Sequence, residues 1–309
     1  MQTIKKLPIQ IILFLFFAGC LASFINTGNT LAFGLQTKCI EALVENRTIF
    51  LDNPLDKMKI FTSSYTWDVF SYKDHVYINK APGQFFLGAI PYFFLKLFGI
   101  TYANNFNLSC GIVTFFTSIL MTSLIMVFLF NISFNILKNR MKSFFVAFFA
   151  GFGTLLLPYS GVLQHDMCAT FFLFLGFYLL FYRYHISNKH SLYMVLLSGF
   201  FTGFSFFNSY NAATIISIIC LYVLCKRKTN EIILFGFSFL VGFSITFIFN
   251  FIVFGSPLNF AIVLYSNFFH QSHEFSLSEY LPSISKRIDL YSISPITAIE
   301  FYSPIYIIS

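Results

Sequence analysis

Three short segments carry the side chains suited to chemistry, and each lies at the edge of a long apolar run. The first, Gly153 through Asp166, contains Pro158, Tyr159, His165 and Asp166. An ionisable side chain at the end of an apolar helix is costly unless it faces a cavity or a partner. Asp166 therefore reads either as a functional carboxylate or as a cap for free backbone N–H groups and the helix dipole. The second segment, Asp68 through Gly83, mixes carboxylates, aromatics and a lysine. Lys80 suits a lipid-linked phosphate as a compact point charge. A carboxylate there suits a general base for an acceptor hydroxyl. The bland alternative is a solvated loop whose Pro82-Gly83 makes a turn. The third segment, Asn208-Ser209-Tyr210-Asn211, reads as a turn between two apolar runs. His270-Gln271-Ser272-His273-Glu274 lacks the distant third ligand of a metal centre, so no metal site is expected. P-loop, G-x-G-x-x-G, H-E-x-x-H and G-x-S-x-G patterns are absent, and nucleotide hydrolysis is not supported.

The elements that must position these segments are membrane helices. The 309 residues are 57% hydrophobic and only 10% charged, with mean hydropathy +0.75. A soluble domain carries about 25% charged residues, so lipid is expected to solvate much of this chain. The net charge of +7 comes from basic residues scattered through short loops, which excludes a nucleic-acid partner. Among the six cysteines only Cys39 falls in a polar loop, so neither a disulfide framework nor a metal motif is expected.

A spanning helix needs roughly 20 apolar residues. Candidates are Ile9–Ile25, Asn107–Leu137, Phe144–Tyr159, Met167–Tyr184, Leu192–Asn208, Ala212–Cys225 and Ile232–Phe254, with another from about Ile288 to the end. The expected fold is thus an all-α integral membrane bundle of about eight spans, one domain over residues 1–309. Phe85–Phe98 is short, contains Pro91 and follows a polar turn, so it reads as an amphipathic helix in the membrane interface. With the amino terminus in the cytoplasm, the basic loops Lys138–Lys142, Arg183–Lys189 and Lys226–Lys228 all fall inside, as the positive-inside rule requires. All acidic residues except Glu231 then lie outside or at outer helix ends. Residues 26–84 form a first outer loop, with a helix expected over Thr30–Asn46, and residues 255–288 form a second. The apolar ending Ile305–Ser309 reads as that of a truncated product or fragment.

The order of motifs resembles the bacterial polyprenyl-phosphate-dependent glycosyltransferases of the GT-C superfamily, in the protein O-mannosyltransferase and aminoarabinose transferase-like branch. The resemblance rests on Ile40–Thr48 after the first span and on Asp68–Gly83 with its Lys80-Ala81-Pro82-Gly83. It also rests on Gly153–Asp166, Leu197–Asn211, Phe249–Pro257 and Phe301–Pro304. It implies a multi-span bundle with its first outer loop folded over the active site. The implied reaction moves a sugar from a polyprenyl-phosphate donor to an acceptor lipid, glycan or protein on the outer face, in a bacterial inner membrane. Carried over residue by residue, Asp68 or Asp166 is the general base and Lys80 binds donor phosphate. His165, Tyr210 and Asn211 line the sugar or acceptor pocket. No cofactor is assigned by the resemblance. The chain departs from the pattern at Asn26-Thr27-Gly28-Asn29, where relatives carry an acidic residue. It departs again at Ser294-Pro295-Ile296-Thr297-Ala298, where they carry Arg and Gly. A carrier or flippase for lipid-linked saccharides, or a truncated inactive relative, are the alternatives.

Overall fold

A computed structural model describes residues 8–27, 30–52, 69–186 and 192–272. Among them the chain is helical apart from one two-stranded hairpin. The helices are α1 (Ile9–Ala22), α2 (Thr30–Glu41), α3 (Gly83–Leu97), α4 (Phe106–Thr114), α5 (Leu120–Leu137), α6 (Arg140–Phe152) and α7 (Leu156–Ser160). They continue with α8 (His165–Phe181), α9 (Leu192–Asn208), α10 (Ala213–Lys226), α11 (Thr229–Phe254) and α12 (Ala261–Ser272). A wide turn at Phe115–Ile119 joins α4 to α5 without a break. The helix expected over Thr30–Asn46 is present as α2 with a wide last turn, Ala42–Asn46.

Two helices, Phe106–Leu137 and Thr229–Phe254, are long and apolar enough to cross a membrane. Ile9–Ala22, His165–Phe181, Leu192–Asn208 and Tyr210–Lys226 are apolar but shorter. The expected span Phe144–Tyr159 is interrupted. Thr154 turns its hydroxyl back to the Ala150 carbonyl (2.6 Å) and accepts the Leu156 N–H (3.2 Å), which ends α6 and starts α7. The last expected span, from about Ile288, lies outside the described residues.

Hydroxyl side chains share the interior with apolar ones, and large apolar side chains also cover the outside. Ser109, Thr114, Thr117, Ser118, Thr122, Ser123, Ser198, Thr202, Ser238 and Thr246 are buried, while Ile218, Leu221, Phe237, Leu240, Phe251 and Ile252 are exposed. Small residues let helix backbones approach closely. Gly199 and Gly203 of α9 and Gly242 of α11 form such a seam. A Cβ on Gly203 would press on the Phe239 carbonyl and sit 2.8 Å from the Phe243 nitrogen. One on Gly242 would press on the Phe200 carbonyl and sit 2.9 Å from the Phe204 nitrogen. These pairs step forward together, so α9 and α11 run parallel. The pairs Gly176–Ser198, Phe172–Phe204 and Asp166–Ser209 run α8 antiparallel to α9.

This handedness gathers the ends of the helices into two groups. The C-terminus of α1 meets the α7–α8 turn through Asn26 N–H to the Gly161 carbonyl (2.9 Å). At that same end lie the start of α8, the end of α9 and the start of α3, where Gly83 abuts Asn208. The end of α11 joins them, with Tyr72 donating its hydroxyl to the Phe254 carbonyl (3.0 Å). At the opposite end Asn135 bonds the His185 carbonyl and Tyr184 bonds Glu231. Arg227 stacks on the Tyr184 ring there (3.3 Å to the centroid).

The all-helical expectation is corrected at the hairpin. Val69–Tyr72 (β1) and His75–Ile78 (β2) pair antiparallel in the register Val69↔Ile78 to Tyr72↔His75. Alternating aromatic and β-branched residues favour this pleat. Lys73 and Asp74 both take positive φ (49° and 64°), which matches the twist of a two-residue hairpin turn. Phe70 and Tyr77 pack on Phe254 and Ala261 and so seat the hairpin at the end of α11.

Candidate functional site

Asp166 is in the first turn of α8, yet it does not cap the helix. Its Oδ1 accepts the Ser209 hydroxyl (2.7 Å) and its Oδ2 accepts the Gln164 amide (3.3 Å). Among the described residues no backbone N–H donates to it. The helix N-terminus still favours its negative charge. Its carboxylate is 38% exposed and opens on a cavity of about 340 Å³. Thr154, Tyr159 and Thr170 give that cavity polar edges, and Leu155, Leu156 and Met167 its apolar wall. Asp166 is the only charged side chain among the described residues of this lining.

His165 stands behind the carboxylate. Its Nε2 is 3.5 Å from Asp166 Oδ1, and its Nδ1 is 3.3 Å from the amide nitrogen of Gln36 on α2. An amide nitrogen donates, so with the amide in this orientation Nδ1 is the acceptor.

Lys80 is half-buried at the end of β2, three residues before Gly83. The helix α3 that follows is locked to α9. A Cβ on Gly83 would lie 2.5 Å from Asn208 Oδ1 and 2.8 Å from the Phe207 carbonyl. Asn208 is next in the chain to Ser209, which holds Asp166. The Lys80–Gly83 turn and the Asp166 turn, distant in sequence, thus converge on the end of α9.

Tyr210 and Asn211 do not join them. The Tyr210 ring packs between Phe206 (5.4 Å) and Phe260 (5.6 Å), and its buried hydroxyl faces the Ala261 backbone without forming a well-aligned hydrogen bond. Asn211 is exposed. Ser209, their neighbour, makes the contact instead. Sequence reasoning singled out this turn but not the residue within it, and only the direction of the α9 end distinguishes the two. Gln36 and Gln164 carry no signal in the sequence beyond being polar. Asp68 lies outside the described residues, as does the His273-Glu274 part of the segment whose histidines were not expected to bind metal. Among the described residues no three His, Cys, Asp or Glu side chains group as metal ligands.

The first outer segment is pinned by polar contacts of its own. Lys38 is buried and pairs with Glu41, while Tyr92 of α3 donates to Glu45. Lys96 donates to the Val44 carbonyl (3.2 Å). Asp52 clasps the hairpin, with Oδ1 accepting the Val76 N–H (2.8 Å) and Oδ2 against His75 Nδ1 (2.5 Å). Phe50 stacks on the His75 ring at 4.0 Å. Burial pushes the Asp52 carboxyl up, but the His75 and Val76 donors and the His75 charge outweigh it and hold the group below its ordinary range. A folded pKa below the unfolded one contributes stability that is complete above the unfolded pKa and lost as pH falls through the folded one. Asp52→Asn is therefore expected to lower the thermal midpoint at neutral pH and to flatten its decline between about pH 5 and 2. Midpoints measured across that range for both proteins check this; parallel acid limbs would contradict it.

Comparison with protein-family models, with curated proteins and with solved structures finds no match.

Proposed function

We propose that the protein is a multi-pass membrane glycosyltransferase that moves a sugar from a polyprenyl-phosphate donor to an acceptor on the non-cytoplasmic face. The observation that carries this reading is the Asp166 carboxylate. It is held by Ser209 and Gln164, borders His165, opens on a cavity, and lies beyond the same helix end that seats the Lys80–Gly83 turn. Asp166 accepts the proton of an acceptor hydroxyl as that oxygen attacks the anomeric carbon. The bond from that carbon to the phosphate oxygen breaks, and Lys80 neutralises the phosphate that leaves. Asp68, the other carboxylate of the resemblance, is the second candidate for the base.

Exposed apolar helix faces and buried hydroxyl and glycine seams support a lipid setting for the bundle. Only 22% of the most apolar stretch of α11 is buried, unlike the core helix of a soluble protein. Lys138, Arg140, Lys142, Lys226, Arg227 and Lys228 lie at the helix ends opposite Asp166, which supports a cytoplasmic basic face and an outer active face for the bundle. On α3 the outward side chains Ile90, Phe93, Phe94, Leu97 and Phe98 are apolar, as an interfacial helix requires.

Purified protein in liposomes with a labelled polyprenyl-phosphate sugar and an acceptor lipid, glycan or peptide tests the reading. Label is expected to move to the acceptor. A carrier moves the lipid across the bilayer and makes no product, and that outcome would sink the proposal. Lys80→Gln removes a charge-assisted contact, and about a tenfold to hundredfold weaker donor KM is expected with a smaller change in kcat.

A further inference from the structure

The helix ends opposite Asp166 carry a charged surface that the proposed reaction does not use. Its cations sit on two short turns: Lys138, Arg140 and Lys142 between α5 and α6, and Lys226, Arg227 and Lys228 between α10 and α11. A wide turn that ends α8, Tyr182–Ile186, ties the two together. Asn135 accepts from Lys138 (3.0 Å) and donates to the His185 carbonyl (3.1 Å). Tyr184, next in the chain to His185, donates to Glu231 and stacks against the Arg227 guanidinium, which also donates to the Tyr222 hydroxyl.

This charge is poorly offset within the chain. Lys138, Arg140, Lys142, Lys226 and Lys228 are exposed, and among the described residues none of them pairs with a carboxylate. Glu231 is the one described carboxylate on this face. Arg140, Lys142 and Lys228 also sit at the starts of α6 and α11, where the helix dipole is already positive. An anion from outside therefore relieves repulsion that the fold leaves in place. The neighbours narrow its kind. Met141 stands between Arg140 and Lys142 and is 65% exposed. Ile136 and Leu137 precede Lys138, Leu224 lies two residues before Lys226, and all three are exposed. Tyr193 and Tyr222 are exposed at the same end, and tyrosines of membrane proteins collect at headgroup depth. A soluble polyanion offers nothing to these apolar side chains, whereas a phospholipid brings its phosphate beside hydrocarbon.

We infer that the α5–α6 and α10–α11 turns together hold the phosphate of an anionic glycerophospholipid from the cytoplasmic leaflet. The inference rests on the membrane setting and orientation of the proposed function, and not on sugar transfer. Basic clusters immediately inside a spanning helix attract anionic headgroups. Arg227 is the preorganised member, fixed against the Tyr184 ring at 3.3 Å, and the exposed lysines adapt around it.

The test uses the full chain in a neutral detergent, offered equal amounts of phosphatidylglycerol and phosphatidylcholine with identical acyl chains, with the bound lipid read by native mass spectrometry. Phosphatidylglycerol is expected to bind at least about tenfold in preference. Lys142→Gln combined with Lys228→Gln takes one exposed cation from each turn and is expected to lower that preference about fivefold or more. Glu231→Gln keeps an acceptor for the Tyr184 hydroxyl and removes the carboxylate, and it is expected to raise the preference severalfold, a gain that damage to the fold would not produce. Equal binding of the two lipids by the unaltered protein, or an unchanged preference in both variants, would overturn the inference. Glycerol 3-phosphate or an RNA homopolymer that displaced the lipid at equal phosphate concentration would also overturn it, by showing a site for soluble anions. A chain that stays monodisperse and lipid-free without detergent would remove the membrane setting and the inference with it. Anionic-lipid preference without sugar transfer would leave the inference standing and remove the proposed reaction alone.

Discussion

Replacing Asp166 with Asn is expected to lower sugar transfer about 10³-fold, the effect of losing a positioned general base. Asn has the same shape, and its oxygen can still accept the Ser209 hydroxyl that now holds Asp166 Oδ1 at 2.7 Å. The fold and donor binding should therefore survive, and the loss should fall on kcat with donor KM little changed. Ser209→Ala removes only the orienting bond, and about a tenfold loss is expected because Gln164 and His165 still border the carboxylate. Steady-state transfer rates for the two variants, with donor affinity measured separately, make the comparison. Retention of transfer by Asp166→Asn to within a few-fold would remove Asp166 as the base and move the role to Asp68.

The second large effect is on folding. Gly203→Val puts a branched side chain where even a single Cβ meets the backbone of Phe239 and Phe243. Backbone cannot rotate away as a side chain can, so α9 and α11 must separate. Overpacking of this kind costs about 3 kcal/mol, and in a seam of facing glycines it propagates to Gly199 and Gly242. Most of the protein is expected to lose its monodisperse folded form, and the remainder to melt several degrees lower. Gly236→Ala supplies the control. A Cβ on Gly236 meets nothing within 4 Å, and alanine favours the helix by about 1 kcal/mol. Size-exclusion profiles and thermal midpoints of the two variants should move in opposite directions. Equal tolerance of both would show that the seam is looser than its geometry implies.

Helix positions were legible in the sequence because apolar runs are a local signal. Leu192–Asn208 matches its expected bounds, and Ile232–Phe254 differs only by one more turn at its start. The break inside Phe144–Tyr159 was less visible, since it depends on the Thr154 hydroxyl competing with the helix backbone. The hairpin was also missed. Four-residue strands inside a polar loop look like loop until their aromatic face finds Phe254.

By itself, then, the sequence determined where apolar helices run and which helix ends carry ionisable side chains. Asp166, His165 and Lys80 stand out that way as candidates, because a charge beside an apolar run is costly wherever the chain folds. Only the tertiary structure decided who their partners are. Parallel packing of α9 on α11 and antiparallel packing on α8 bring Ser209, rather than Tyr210, to Asp166. The course of α2 lays Gln36 against His165 and Ile40 against Gly88 of α3. Those choices depend on which small residues let two backbones approach and at what register, a property of pairs of helices that no single segment encodes.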